Sequence, residues 1–340
     1  MSKLLEFNPD IWVQETRTIG TQSPLATQRD SAVLQAPATA ESGRRVARAS
    51  RRGAGGRSPE FELLEALAED LSHGRAALPH VPGIVKRIRD LLEEPQAPVA
   101  EAERLVRSEP HLEAWIVQIA GSLAMDGPRT RAIDLCSAIA RLGPQGVQGA
   151  TLSFAVHQMI RQPALRSIAL PLEDWWHQSS AVACMSQLIA RRTKVRVEEA
   201  FLAGLLHGIG RLYILLHAVD EPPERRKYLL NSDSIAGWHP SIGKAVLENW
   251  GASEPTACAV NDQLDHERRV RTLDAADLTD IVIAALALSH APSGEAWRDL
   301  PAKRINSFRT LNLSADDCAK ILRHAQQQLG MMRAALSPER

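Results

Sequence analysis

Apolar residues recur at helical spacing through most of the chain after residue 58. Six of them match the i, i+3, i+4, i+7, i+8, i+11 template of one helix face: Leu112, Trp115, Ile116, Ile119, Ala120 and Leu123. Similar patterns predict helices over 61–71, 81–92, 99–106, 133–142, 147–160, 175–190, 198–217, 242–250, 275–289 and 315–329. No segment alternates convincingly between apolar and polar residues, as a half-buried strand would. We therefore predict an all-α fold.

Proline and glycine indicate where the predicted helices begin and end. Ser58-Pro59-Glu60 combines a favourable N-cap, a proline tolerated in the first turn and an acid at the positive helix end. The folded part is therefore expected to begin at residue 59. Breaks are predicted at Gly127-Pro128, Gly143-Pro144, Glu221-Pro222-Pro223 and Ser253-Glu254-Pro255.

Residues 1–58 lack this periodicity and are rich in Ser, Thr, Gln, Ala and Gly. The stretch Arg44–Arg57 holds many arginines and no acid. Such a chain buries too little apolar surface to offset its ordering entropy, so we predict a disordered, Arg-rich segment. Its beginning, 4–13, carries Phe7, Ile11 and Trp12 and could dock on a partner or on the folded part. A solvated linker is the favoured interpretation of Arg44–Arg57, with nucleic acid or an anionic surface as the alternative partner.

Composition limits the classes of function. A length of 340 residues suggests two domains, at roughly 150 residues per domain. The 40 Lys+Arg balance the 40 Asp+Glu, which excludes nucleic-acid binding driven by overall charge. The four cysteines form no C-x-x-C pair, which excludes a cysteine-based zinc site and disfavours a disulfide-stapled secreted domain. The start of the chain lacks a signal-peptide core, and no apolar run reaches the roughly 18 residues of a membrane span, so we expect a cytoplasmic protein.

Histidines of the second half lie beside apolar helix faces. His177, His207, His239 and His266 could converge from different helices on a divalent metal that activates water for phosphoester hydrolysis. Hard metals usually require carboxylates as well. Asp262 is the only nearby acid after the predicted helix 242–250. The spacing thus supports a shared pocket without a complete coordination sphere, and structural histidines are favoured over a weak metal site.

Other motifs of catalysis are missing from the sequence. It contains no G-x-S-x-G nucleophile elbow and no P-loop. Gly204, Gly208 and Gly210 do not form a dinucleotide fingerprint, because they lie inside a helical pattern with no strand before it. We expect these glycines to permit close packing of helices.

Several short motifs occur in order between about residues 70 and 290. The first half has LPHVP at 78–82, EPHL at 109–112, AGS at 120–122 and AIARLG at 138–143. The second half has W-x-H at 175–177, AGLLHGIG at 203–210, H-x-x-x-G at 239–243 and E-x-WG at 248–251. The string LLHGIGRL resembles the LLHDIGKL of the HD superfamily. Order and spacing together resemble the HDOD family, the HD-related output domain of bacterial signalling proteins.

The resemblance implies a regulatory domain over 59–336. A helical subdomain at 59–165 would pack against a degenerate HD-like bundle at 171–336. HDOD proteins usually act beside receiver, cyclase or phosphodiesterase modules. Residues 1–58 are too short and polar for such a module, so the implied partners are other signalling proteins.

Departures from the family pattern bear on catalysis. In catalytic HD relatives the residue after the central histidine is an aspartate that binds metal, and here it is Gly208. The paired histidines of the family fall near Gln263-Leu264 and are also missing. His177, His207 and His239 remain as vestigial pocket positions, and Arg211 could contact an anion. We therefore expect no catalytic residue, bound metal or cofactor.

Three hypotheses follow. The favoured one is a non-enzymatic signalling protein that changes the activity of a partner. The second is a divergent metal-dependent phosphohydrolase that uses His177, His207 and His239. The third is a nucleic-acid-associated regulator that uses Arg44–Arg57 and binds in a salt-sensitive manner.

Overall fold

The computed structural model describes residues 59–72, 83–92, 99–122, 134–219, 221–224, 233–268, 276–290 and 305–336. The predicted disordered segment 1–58, with Arg44–Arg57, lies outside these residues, as do the motif at 78–82 and the predicted break at Gly127-Pro128. The described helices are α1 Pro59–Ser72, α2 Gly83–Leu92, α3 Val99–Arg107, α4 Pro110–Ser122, α5 Leu135–Met159, α6 Ala169–Ala190, α7 Val197–Leu206, α8 Ile209–His217, α9 Asp233–Asn249, α10 Glu254–Asn261, α11 Leu278–Ser289, α12 Asn306–Thr310 and α13 Ala315–Leu336. A 3₁₀ turn at Pro163–Ile168 precedes α6.

The prediction of an all-α fold is confirmed, since the described part of the chain contains helices and no strand. The predicted break at Gly143-Pro144 is a kink within α5, where Gly143 has a φ of 69°. Glycine tolerates this left-handed conformation because it has no Cβ. The predicted single helix over 198–217 is two helices, α7 and α8, with His207 and Gly208 between them.

Two helices in the second half of the chain differ from the sequence-based prediction. Helix α9 begins at Asp233 and contains Pro240 internally, whereas the apolar pattern predicted a helix over 242–250. Helix α10 was not predicted, since the sequence indicated only a break at Ser253-Glu254-Pro255. In the structure Ser253 is its N-cap and accepts a hydrogen bond from the Thr256 N–H. Its length of 8 residues is too short for apolar periodicity to reveal.

The buried side chains form two hydrophobic clusters. The larger extends from α1 to α5 and on through α7, α8 and α9, so it crosses the predicted division between 165 and 171. The smaller joins α6 and α7 to α11, α12 and α13. Helices α6, α7 and α10 contribute to both clusters. These three helices therefore lie between the two clusters. The break between α7 and α8 follows the last residue of α7.

Polar contacts also join the two predicted subdomains. The side-chain amide of Gln148 on α5 donates to the carbonyl oxygen of Trp250 at 3.1 Å. The Arg89 guanidinium of α2 lies over the Trp250 ring, 5.4 Å from its centre. Arg196 donates to the carbonyl oxygen of Leu142, just before the α5 kink, at 3.0 Å. These contacts join helices on both sides of the predicted boundary between residues 165 and 171.

One stretch of the described chain, Val197–His217, is long and apolar enough to cross a membrane. Within the fold, most of this stretch is buried against other helices. It is therefore a core element of the bundle. All four cysteines are free thiols in the structure.

Candidate functional site

Close helix packing surrounds the α7–α8 break, as the three glycines predicted. A Cβ atom at Gly204 would lie 2.8 Å from the Cα of Ala183, so α7 contacts α6 along its backbone. A Cβ atom at Gly210 would lie 2.5 Å from the backbone nitrogen of Gly243 and would overlap the carbonyl oxygen of His239. Helix α8 therefore contacts the backbone of α9.

The indole of Trp175 fills the space beside Gly208. Its Nε1–H donates to the carbonyl oxygen of Gly208 at 2.8 Å. A Cβ atom at position 208 would overlap this nitrogen and lie 3.2 Å from the indole Cδ1. Trp175 is 3% exposed, so the ring belongs to the packed core. The volume that a carboxylate side chain would need at position 208 is thus occupied by an aromatic ring.

Gln263 forms a second bond to the same turn. Its side chain is fully buried, and its Nε2 donates to the carbonyl oxygens of His207 at 2.9 Å and Val260 at 2.7 Å. Its Oε1 has no protein partner. Sequence alignment on Trp250-Gly251 placed missing family histidines near this residue. Here the position holds an amide that caps the backbone between α7 and α8.

His207 lies at the end of α7 and is 5% exposed. Its Nδ1 donates to the carbonyl oxygen of Gly204 at 2.7 Å, because a carbonyl can only accept. In the neutral ring the Nε2 is then unprotonated. Burial lowers the pKa of His207 to about 4, with smaller contributions from His290 and Arg211. The ring is neutral at pH 7.

His239 approaches the same region from α9 and is 7% exposed. Its Nδ1 is buried without a hydrogen-bond partner. Burial lowers the pKa of His239 to about 3, and Arg211 and His207 lower it further. A buried polar nitrogen without a partner is uncommon, which makes this atom a candidate contact for water or a ligand.

His290 is a further member of the cluster that the sequence analysis missed. It is the C-cap of α11, and its Nε2 lies 2.7 Å from the side-chain amide nitrogen of Gln178 on α6. Burial lowers the pKa of His290 to about 4, and Arg211 and His266 also lower it. The signal was present in the sequence, because His290 directly follows the apolar stripe predicted to end at 289.

The other predicted histidines differ in their surroundings. His177 on α6 has an exposed side chain, although the helical pattern placed it beside Ala181 and buried Cys184. His266 is half-buried in the turn after α10. Burial lowers its pKa, and the nearby Asp265 acts in the opposite direction. The inner part of the site is therefore formed by His207 and His239.

The residues present do not fit a catalytic metal centre. Within the described ranges, no three His, Cys, Asp or Glu side chains come together in a way that could hold a metal ion. Position 208 offers no carboxylate, and Trp175 occupies its space. Gln263 directs its amide nitrogen to backbone carbonyls. Asp262 accepts a bond from the neighbouring Asn261 at 2.6 Å.

A family model for the HDOD domain matches residues 78–265. This range is more than half of the 340-residue chain and contains the α7–α8 break together with Gln263. The chain belongs to the HDOD family. The resemblance found in the sequence motifs is thereby confirmed, and the expected HD-like helical fold with it.

Three crystal structures share the fold of this HDOD protein. One, from Shewanella amazonensis SB2B and provisionally named a metal-dependent phosphohydrolase, has 20% identity and a TM-score of 0.60, and the match covers 82% of this chain and 99% of that one. An HDOD domain protein of unknown function from Geobacter sulfurreducens has 23% identity, a TM-score of 0.50 and coverages of 82% and 98%. A protein from Marinobacter aquaeolei VT8, provisionally named a signal transduction protein, has 19% identity, a TM-score of 0.51 and coverages of 82% and 66%. No curated protein matches the sequence.

Proposed function

We propose that this HDOD protein is a non-catalytic regulator in bacterial signal transduction, acting in the cytoplasm through contacts with other signalling proteins. The observation that carries the proposal is the bond between Trp175 and Gly208. It places an aromatic ring where a catalytic relative would need a carboxylate. Family membership supports the cellular setting.

The histidine nitrogens that remain at the site support the proposal that this protein does not hydrolyse phosphoesters. Phosphoester hydrolysis by a metal centre needs ligands that hold the ion and a bound water of lowered pKa. Neutral imidazoles alone are weak ligands for the hard metals Mg²⁺ and Mn²⁺. Arg211 also places a positive charge within electrostatic range of His207 and His239.

The alternative is a divergent metal-dependent phosphohydrolase, and one contact favours it. His207 donates its Nδ1–H to a backbone carbonyl, which leaves the Nε2 free to bind a metal. Metal-binding histidines commonly have this second bond. The name of the Shewanella neighbour points the same way, but the identity of 20% supports the fold alone.

Metal content and turnover distinguish the two candidates. The full chain would be purified with added Mn²⁺, Fe²⁺ or Zn²⁺ and assayed by elemental analysis and for hydrolysis of nucleotides and cyclic dinucleotides. We expect substoichiometric metal and no turnover, with no change in His207→Ala. The matched control is His111→Ala, because the His111 side chain is 82% exposed and lies on α4. Stoichiometric metal and turnover lost only in His207→Ala would overturn the proposal.

A genetic arm tests the regulatory role itself. The gene would be deleted in its own organism, and the transcript profile compared after restoration with the wild-type chain or with His207→Gln. A non-catalytic regulator is expected to restore the profile in both cases, provided that both chains accumulate equally. A transcript profile that does not respond to the deletion would contradict a regulatory role.

A further inference from the structure

The start of helix α13 meets the end of α6. The Nη1 of Arg192, two residues after α6, donates to the Oδ1 of Asp317 in the first turn of α13 at 2.8 Å. Because α13 also packs along α6, the two helices run antiparallel. Both helices rise about 1.5 Å per residue, so Gln328 on α13 lies at about the level of Ala181 on α6.

The apolar face of α13 becomes weaker towards the end of the helix. In the first half, Cys318 and Ile321 are buried in the smaller hydrophobic cluster. Of the described residues 322–329, Ala325 is the only apolar one that is buried, and Leu329 is partly buried. An alanine buries much less apolar area than an isoleucine. The second half of α13 therefore gains less free energy from packing on α6.

The next inward position on this face is Gln328, which is 7% exposed. Neither its Nε2 nor its Oε1 has a hydrogen-bond partner. Buried polar atoms are almost always paired, because an unpaired one loses its hydration without compensation. A trapped water would need further polar partners, and the neighbours Ala325 and Leu329 on the same face are apolar. Gln328 thus favours a state in which its amide is hydrated.

Polar contacts hold the start of α13. The hydroxyl and the backbone N–H of Ser314 donate to the Oδ2 of Asp317 at 2.6 Å and 3.1 Å, and the Asp317 N–H donates to the Ser314 Oγ at 3.2 Å. These reciprocal bonds cap the helix. Along the described stretch 319–329, by contrast, no side chain forms a hydrogen bond or an ion pair. The second half of α13 is therefore held on α6 by apolar contacts alone.

The rest of the bundle does not depend on the second half of α13. Among the described residues, the larger hydrophobic cluster contains none from this helix. Helix α11 belongs to the same smaller cluster as α13, but it is buried along most of its length and packs against α6, α7 and α10. The backbone amides of α11 therefore report on opening of the domain rather than on α13.

We propose that the second half of α13 alternates between packing on α6 and release from it, and that the unpaired amide of Gln328 sets the balance. Release would uncover α6 around Ala181 and Met185, which lie one turn apart in the smaller cluster. The inference deepens the proposed function and rests on it for its biological role, because two states allow a regulator to change a partner's activity. The release itself is measured without a partner.

Hydrogen–deuterium exchange of the full chain near pH 7, followed by mass spectrometry, tests the proposal. Residues 325–336 are expected to exchange together, about tenfold or more faster than α11, because their release does not require the domain to unfold. Gln328→Leu should slow exchange of 325–336 by about tenfold, since it removes the unpaired amide. Exchange of α11 should not change.

The matched control is Gln327→Leu, because Gln327 is the exposed neighbour of Gln328 and leucine and glutamine have similar helix propensities. It should exchange as the wild type does. Gln328→Glu acts in the opposite direction and keeps the test informative if Gln328→Leu does not fold. Its carboxylate is costly to bury, so residues 325–336 should exchange faster while α11 stays protected.

Three outcomes would overturn the inference. Equal rates for 325–336 and α11 in the wild type would mean that α13 opens only with the whole domain. A gradient of rates from residue 336 inwards that neither Gln328 variant changes would indicate simple fraying. Equal slowing in Gln327→Leu would mean that the buried amide has no special role. None of these results depends on metal content or turnover, so failure here is distinct from failure of the proposed function.

Discussion

The Nε1–H of Trp175 donates to the carbonyl oxygen of Gly208 over 2.8 Å, joining residues 33 positions apart in the chain. The bond satisfies a carbonyl in the turn between α7 and α8, and Gln263 does the same for the carbonyl of His207. Two side chains from separate parts of the chain thus bond the turn between α7 and α8.

The first prediction concerns the space beside Gly208. Gly208→Ala should destabilise the protein by about 1–3 kcal/mol, because the added methyl group overlaps the Trp175 indole in a packed core. The backbone is not the cause, since Gly208 has a φ of −92° that alanine adopts readily. Urea unfolding measures the difference.

The matched control for that experiment is Gly121→Ala. A Cβ atom at Gly121, near the end of α4, meets nothing within 4 Å. Alanine has the higher helix propensity, so this variant should be as stable as the wild type or more stable. Equal stability of Gly208→Ala and Gly121→Ala would contradict close contact between Trp175 and position 208.

The second prediction is that Gly208→Asp does not by itself restore metal binding. The new carboxylate would compete with the indole for the same volume, and Gln263 would still direct its amide to the backbone. Elemental analysis after incubation with Mn²⁺ should give the same metal content for Gly208→Asp, for Gly208→Asn and for the wild type. A stoichiometric metal in Gly208→Asp alone would show that Trp175 can move aside.

The third prediction concerns stability in acid. His157 on α5 is 7% exposed and lies between Trp115 and Trp176, with ring centres 4.6 Å and 5.1 Å away. Burial, with a smaller contribution from Arg161, lowers the pKa of His157 from 6.5 to about 4. Between these values the unfolded chain carries a proton on His157 that the folded chain lacks. The contribution of neutral His157 to the free energy of unfolding is therefore fully present above pH 6.5 and is lost as the pH falls towards 4.

His157→Phe isolates this effect, because phenylalanine keeps an aromatic ring between the two tryptophans. We expect similar stability at pH 7 and a higher stability than the wild type at pH 5. The pH slope of the unfolding free energy should decrease by about 1.4 kcal/mol per pH unit in this window, which corresponds to one proton. Parallel slopes for the two chains would mean that His157 is protonated in the folded state.

The sequence predicted what depends on local pattern and missed what depends on tertiary contact. The face of α4 was predicted because its apolar residues repeat with the period of the helix, and Gly204 and Gly210 were correctly expected at close helix contacts. The sequence showed that position 208 lacks the aspartate that catalytic relatives have there. It did not show that Trp175 occupies the space beside Gly208. No periodicity links two residues on separate helices. His290 was missed although it directly follows an apolar stripe, because its contact with Gln178 on α6 joins residues 112 positions apart.

The fourth prediction concerns a buried acid that anchors α11. Asp280 is fully buried, and burial raises its pKa. Ser307 donates to its Oδ1 at 2.8 Å, and the Nη1 of Arg268 lies 3.7 Å from its Oδ2. Arg268 also bonds Asp277, the N-cap of α11, through both terminal nitrogens. A single arginine thus joins the turn that follows α10 to the start of α11.

Arg268→Gln should destabilise the chain by about 2–4 kcal/mol, because it removes the cation that compensates a buried carboxylate. The matched control is Arg192→Gln, which breaks an ion pair with Asp317 in which the arginine is 44% exposed. Its cost should be much smaller than that of Arg268→Gln, since water screens exposed pairs. Urea unfolding of both variants makes the comparison. Equal costs would mean that Asp280 is neutral in the folded protein, because a protonated acid needs no cation.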